Sequence, residues 1–139
     1  MKLYRLKPGR QVAAALALAM LAVLTGPALA QTGLSAERGK ALYESRCGAC
    51  HGVDANRVGP AHQGVFGRKA GSAPDFAYSK ALASSKVVWT RDRLLAWLAG
   101  PEAVIPGQAM NYSLGEARER EDVVAYLATL SSAKAAATR

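Results

Sequence analysis

Sulfur and imidazole are scarce in this chain. Its 139 residues include two cysteines and two histidines, and both cysteines and one histidine fall inside "SRCGACHG", residues 45–52. A bridge between Cys47 and Cys50 would close a tiny loop and stabilise little. Strand-like alternation is missing: no segment of four or more residues alternates polar and apolar positions, so the chain reads as mostly α. A thioredoxin-like dithiol wants a βαβ context, which is absent too. A zinc site could recruit Cys47, Cys50, His51 and His62, but would use every soft ligand of the cluster and its loop. No apolar run reaches the ~20 residues that span a bilayer. There is no internal repeat, and no long basic run to bind nucleic acid.

The first thirty residues stand apart. "MKLYRLKPGR" carries Lys2, Arg5, Lys7 and Arg10 and no acid, and "VAAALALAMLAVL" is unbroken apolar chain from Val12 to Leu24. "TGPALAQ" then supplies a helix-breaking Gly26-Pro27 and small residues at Ala28 and Ala30. That is the layout of a secretory signal peptide over residues 1–30, with cleavage expected after Ala30. Removing 30 residues and four bases from 139 residues with 18 bases and 10 acids leaves 109 residues and a formal charge of +4. The high pI is therefore partly a property of the leader, and the remainder is mildly basic. A chain of this length makes one small domain, expected over 31–131, followed by a flexible Ala/Ser-rich tail at 132–139.

Three helices are predicted. In "LSAERGKALYESRC", Ser35 is the N-cap and Glu37 lies in the first turn. Gly39 inside that helix costs about 1 kcal/mol against Ala unless another backbone must come close. "TRDRLLAWLAG" is capped by Thr90, has an apolar face of Leu94, Leu95, Trp97 and Leu98, and stops at Gly100-Pro101. "EAREREDVVAYLATL" places Val123, Tyr126, Leu127 and Leu130 on one stripe. Residues 51–77 and "AVIPGQAMNY" read as loop. A loop of about twenty-five residues without structure of its own argues against a simple packed domain unless something fills the space; a large apolar cofactor would.

Cys-x-x-Cys-His is the attachment signal of a covalent c-type haem. Each thiol adds across one vinyl group, and the adjacent His51 supplies the proximal nitrogen to iron.

With these residues the chain resembles the class I c-type cytochromes, in particular the mitochondrial-like bacterial members. The resemblance runs from Gly39 to about Leu130, through "CGACH", "VGPAHQGVFGRKAGSAPDFAYS", "VVWT", "LLAWLAGPEAVIPGQAM" and "REDVVAYL" in family order. It implies an all-α class I cytochrome c fold, three main helices plus long loops wrapped around one covalently attached haem c. It also implies that Gly39 and Tyr43 cross the C-terminal helix near Tyr126.

With the leader removed, Met110 is the only methionine left. The Pro106-Gly107 turn can present its thioether to the far face of the ring, where a sulfur ligand would raise the potential. His62 is the other candidate for the sixth ligand, but reads rather as a surface loop residue. The resemblance implies further that the Pro60 carbonyl accepts the proximal histidine proton, that Tyr78 and Trp89 hydrogen-bond a buried propionate, that Arg68 compensates its charge, and that Trp97 packs on the ring. An iron held on both faces has no open position for substrate, so the expected function is one-electron transfer by a periplasmic monomer, not catalysis. Expected partners are redox complexes met transiently: a bc-type reductase, a terminal oxidase, a reaction centre or a dehydrogenase. Arg46, Lys69 and Lys86 make a basic surface, whereas Glu102, Ala103, Ala109 and Glu116 stand where lysines are common in the family. Two alternatives are a cytochrome subunit held to a dehydrogenase, and a small haem enzyme or gas-binding protein with a labile sixth ligand.

Overall fold

A serine begins the first helix. Ser35 is extended, and its Oγ accepts the Arg38 N–H at 3.1 Å, satisfying one of the donors that a helix start leaves unpaired. The computed structural model describes residues 33–137, with side chains to residue 131; the expected leader at 1–30 lies outside the described residues. Its helices are α1 (Ala36–Arg46), α2 (Lys80–Ser84), α3 (Arg91–Ala99), α4 (Pro101–Val104) and α5 (Ala117–Ala137). Among the described residues there is no strand, only an isolated antiparallel bridge between Lys69 and Val88. No described helix is long and apolar enough to cross a membrane.

Thr90 caps α3 by accepting the Arg93 N–H at 3.3 Å. Gly100 ends α3, its N–H bonding Ala96 O. Pro101 then starts α4, where its missing N–H costs no bond. Two single-turn helices thus lie outside the three expected: α2 in a stretch the sequence left unassigned, and α4 overlapping a stretch read as loop. Each is too short to show a periodic apolar face. Helix α5 also continues into the expected tail, consistent with the high helix propensity of its alanines.

The core explains how so few helices hold together. Tyr43 of α1, Leu94, Trp97 and Leu98 of α3, and Val123, Val124 and Leu127 of α5 form one buried cluster with Val65, Ala70, Trp89, Ile105 and Leu114 from the connections. Helix α1 crosses α5 at Gly39, where a Cβ would stand 1.8 Å from Asp122 O and 3.1 Å from Tyr126 Cβ. The glycine's propensity cost is thereby offset by backbone approach. Four residues on, the Tyr43 ring lies 5.3 Å from that of Tyr126.

Asp122 closes the crossing. It is 2% exposed and accepts from Ser35 N–H and Arg38 Nε, both at 2.8 Å, and from Arg38 Nη2 at 3.0 Å, with Arg118 3.8 Å away. A carboxylate on α5 thus serves the N-terminus of α1.

Residues 47–79 contain no regular element. Their backbone bonds are met locally and by neighbours. His62 N–H reaches Gly52 O at 3.0 Å, Gln63 N–H reaches Val53 O at 2.8 Å, and Gly67 N–H reaches Trp89 O at 2.9 Å. Gln63 Nε2 donates to Leu130 O at 2.9 Å and Phe66 N–H to Ser131 Oγ at 3.0 Å, tying the connection to α5.

Candidate functional site

The turn that follows α1 gathers the sulfur and imidazole. His51 N–H bonds Cys47 O at 2.8 Å and Cys50 N–H bonds it at 3.0 Å, so both thiols and the imidazole project from a single turn. Neither cysteine is in a disulfide; Cys47 is half-buried and Cys50 exposed. Burial, and then the neighbouring Cys50, push the Cys47 thiol up to about 11. A redox dithiol needs the opposite shift toward thiolate.

The His51 ring is fixed from several directions. Its Nδ1–H donates to Pro60 O at 2.8 Å. The carbonyl can only accept, so Nδ1 carries the proton and Nε2 keeps its lone pair for a metal. Burial lowers the affinity of His51 for a second proton, with the Pro60 bond working the other way. At Gly59 a Cβ would stand 2.2 Å from His51 Cε1 and 2.7 Å from Nε2. Any side chain there would displace the ring.

His62 is not on the surface as expected. It is partly buried and stacks on His51, with centroids 4.2 Å apart and planes 17° from parallel. Its backbone N–H, bonded to Gly52 O, turns the side chain inward. Burial, then the charges of His51 and Arg68, lower its pKa to about 3, so it is neutral.

A second group forms around Met110. Trp97 Nε1–H, from α3, donates to Met110 Sδ at 3.1 Å, and the Trp97 ring meets Trp89 edge to face at 5.1 Å. The sulfur uses one lone pair for the indole and retains the other. The backbone around Met110 is clasped by two side chains. Glu102 accepts from Gly107 N–H at 2.8 Å and Gln108 Nε2 at 3.3 Å, while Gln108 Oε1 accepts from Met110 N–H and Asn111 N–H.

Arg68 spans the start of the loop, donating to Ala61 O at 2.9 Å and Gln63 O at 3.1 Å. Burial lowers its pKa, and nearby Tyr78 opposes that. Tyr78 Oη accepts from Ala73 N–H at 3.2 Å, which leaves its own proton to donate. The structure therefore gathers His51 with Pro60, Trp97 with Met110 and Trp89, and Arg68 with Tyr78. It also recruits Gly59, Glu102 and Gln108, to which the sequence attached no part in holding a ligand, and His62, which the sequence weighed only as a ligand itself.

These donors fit a covalently held haem: two free thiols on one turn, an imidazole with Nε2 free, and a thioether from a distant loop. Zinc finds no such fit, since among the described residues no three His, Cys, Asp or Glu side chains converge on one point. The family model for cytochrome c matches residues 36–131. The chain belongs to the cytochrome c family. It is 41% identical to cytochrome c2 of Rhodopseudomonas palustris, over 68% of this chain and 97% of that one. Identity is also 41% to cytochrome c of Euglena viridis, over 68% of this chain and 96% of the relative. Among solved structures, cytochrome cH from Methylobacterium extorquens superposes with a TM-score of 0.65 at 37% identity, over 68% and 98% of the two chains. Ferricytochrome c2 from Rhodopseudomonas palustris gives 0.63 at 41%, over 69% and 98%. The fold is that of an all-α class I cytochrome c of bacterial type. This cytochrome is an electron-transfer protein with one covalently attached haem c.

Proposed function

We propose that Cys47 and Cys50 form the two thioether bonds to the haem, that His51 and Met110 are its axial ligands, and that the protein is a soluble periplasmic one-electron carrier. The observation that carries this reading is the bond from His51 Nδ1 to Pro60 O. It fixes the tautomer, directs Nε2 outward as a ligand and raises its basicity. Trp97 does the matching work on the other donor, holding the Met110 sulfur in place. When bound, the haem iron supplies reversible one-electron chemistry. The protein's contribution is to fix both donors beforehand, so that the change of charge requires little movement. Arg68, Tyr78 and Trp89 supply a cation, a hydroxyl and an indole N–H for a buried propionate, which needs such partners.

With both axial positions taken by side chains there is no place for a substrate, which supports a carrier rather than an enzyme. Partners are redox complexes that dock transiently, steered by exposed Arg46, Lys69 and Lys86. Glu102 is exposed and its carboxylate accepts only from neutral N–H groups, so it tempers that basic surface.

Met110→Ala tests the ligand pair. The expected outcome is loss of the weak near-infrared methionine–ferric-haem band and a lower potential, and retention of both defeats the assignment. Native reduced protein is expected not to bind carbon monoxide; rapid binding would instead indicate a haem enzyme or gas sensor. A monomer by size exclusion separates a free carrier from a subunit held to a dehydrogenase. Intact mass of the exported protein checks cleavage after Ala30.

A further inference from the structure

His62 has no part in the function proposed above, yet it is one of the most constrained side chains near the site. Its backbone N–H bonds Gly52 O at 3.0 Å, and its carbonyl accepts Val65 N–H at 3.0 Å. Its Nδ1 lies 3.1 Å from Tyr43 Oη. With that hydroxyl's single proton placed on Gly52 O at 3.2 Å, His62 Nδ1–H is the donor to Tyr43; in either tautomer the imidazole is tied to the hydroxyl. Tyr43 is itself immobilised, 3% exposed and packed on Tyr126 of α5 at 5.3 Å. The His62 ring is thus held at its backbone and at one nitrogen, and it presents a flat face to His51 at 4.2 Å and 17°.

Such a face does what the Pro60 bond cannot. A hydrogen bond fixes the direction of Nδ1 but tolerates tilts of tens of degrees. Rotation of His51 about its Cβ–Cγ bond would carry ring atoms into an anchored parallel ring. We infer that His62 is a positioning residue for the iron ligand: with Tyr43 as its anchor, it fixes the plane of the His51 imidazole. This rests on the reading of His51 as an axial ligand. It also explains the residue type. An apolar side chain could fill the space, but only a ring with a donor nitrogen is both flat toward His51 and tied to the Tyr43 hydroxyl. The crossing of α1 and α5, where Tyr43 sits, is thereby linked to the ligand through one hydrogen bond and one stack.

The test uses the haem-loaded protein. In the ferric state the orientation of an axial imidazole plane sets how unpaired spin spreads over the ring, and the hyperfine-shifted haem methyl resonances report it in a proton NMR spectrum. His62→Ala is expected to change the order or spread of those resonances and to shift the midpoint potential. His62→Phe, which restores a flat ring, is expected to return the methyl pattern toward wild type. Tyr43→Phe, which keeps both rings and removes the anchoring hydroxyl together with its bond to Gly52 O, is expected to shift the pattern in the direction of His62→Ala by less. An unchanged pattern in His62→Ala overturns the inference, and so do equal shifts in His62→Ala and His62→Phe. Should His62→Ala yield no loaded protein, Tyr43→Phe decides: a shifted pattern supports the inference and a wild-type pattern overturns it. A wild-type protein lacking the spectrum of a histidine-ligated low-spin haem defeats the ligand reading itself, before any variant is compared.

Discussion

One missing methyl group governs the position of the His51 ring. A Cβ on Gly59 would stand 2.2 Å from Cε1 of His51, well inside contact distance. Since the intruding group is attached to backbone, the imidazole must yield. Gly59→Ala is therefore expected to lower the yield of haem-loaded protein, or to alter its spectrum, with the remaining fold stable enough to purify; absorption and circular dichroism on one sample check both halves. Residues contiguous in the chain were legible at this scale. Cys47, Cys50 and His51 lie within one turn, so their spacing alone shows that they can act together. Pro60 was reached through family resemblance. Gly59 carries no local sign of its role, because its demand comes from a ring eight residues back. His62 was read as a surface residue because polarity in a glycine-rich loop is the ordinary sign of exposure, and the partners that bury it, Tyr43 and His51, are set by the tertiary fold.

A helix crossing and a loop each depend on a single carboxylate. At the α1–α5 crossing, burial pushes the Asp122 carboxyl up, but the Arg38 hydrogen bond, the Ser35 N–H and the charges of Arg38 and Arg118 outweigh it and hold the carboxyl below its ordinary value. A carboxylate depressed in the folded state contributes stability that is complete above the unfolded carboxyl's titration range. That contribution is lost as pH falls through the lower folded value. Asp122→Ala is expected to cost about 2 kcal/mol near neutrality, the order of a hydrogen-bonded charged pair with a partly exposed partner. The difference from wild type is expected to shrink in acid; denaturant titrations at several pH values measure it. In the Met110 loop, Glu102 bonds Gly107 and Gln108, and Gln108 bonds Met110 and Asn111. Glu102→Ala is expected to let the loop open more often, so that added imidazole binds the ferric protein several-fold faster. An unchanged rate would show that the clasp does not restrain Met110. Helix identity was readable at this scale, since Ser35 and Thr90 cap as their sequence positions require. The crossing of Gly39 with the C-terminal helix was reached through family resemblance, but its contact with Asp122 was not, because nothing local marks that residue as buried.

At the scale of the whole molecule, residues 47–79 form a long connection without a regular element, held by hydrogen bonds to its neighbours and to α5. A connection of this kind is uncommon in a small domain unless it has a function, and here it carries Pro60, His62, Arg68 and Tyr78. A ligand bound only by the native state adds its binding free energy to folding. The double variant Cys47→Ala/Cys50→Ala, expressed without covalent haem, is therefore expected to lose most of its cooperative thermal transition and to be cut by protease within 47–79. Retention of the wild-type melting temperature would mean that the core alone sustains the fold.

The sequence by itself determined the helical class, the three longer helices with the N-caps of two of them, and the Cys-x-x-Cys-His chemistry. Each depends on residues within a turn or two of one another, where spacing is set by backbone geometry. Tertiary structure decided which groups meet across the chain. It placed Gly39 on the backbone of α5, buried Asp122 as the cap partner of Ser35, laid His62 against His51, and brought Trp97 to the sulfur of Met110. Those contacts join residues far apart in sequence. They exist only once packing has fixed where the connections run, and no local propensity records them.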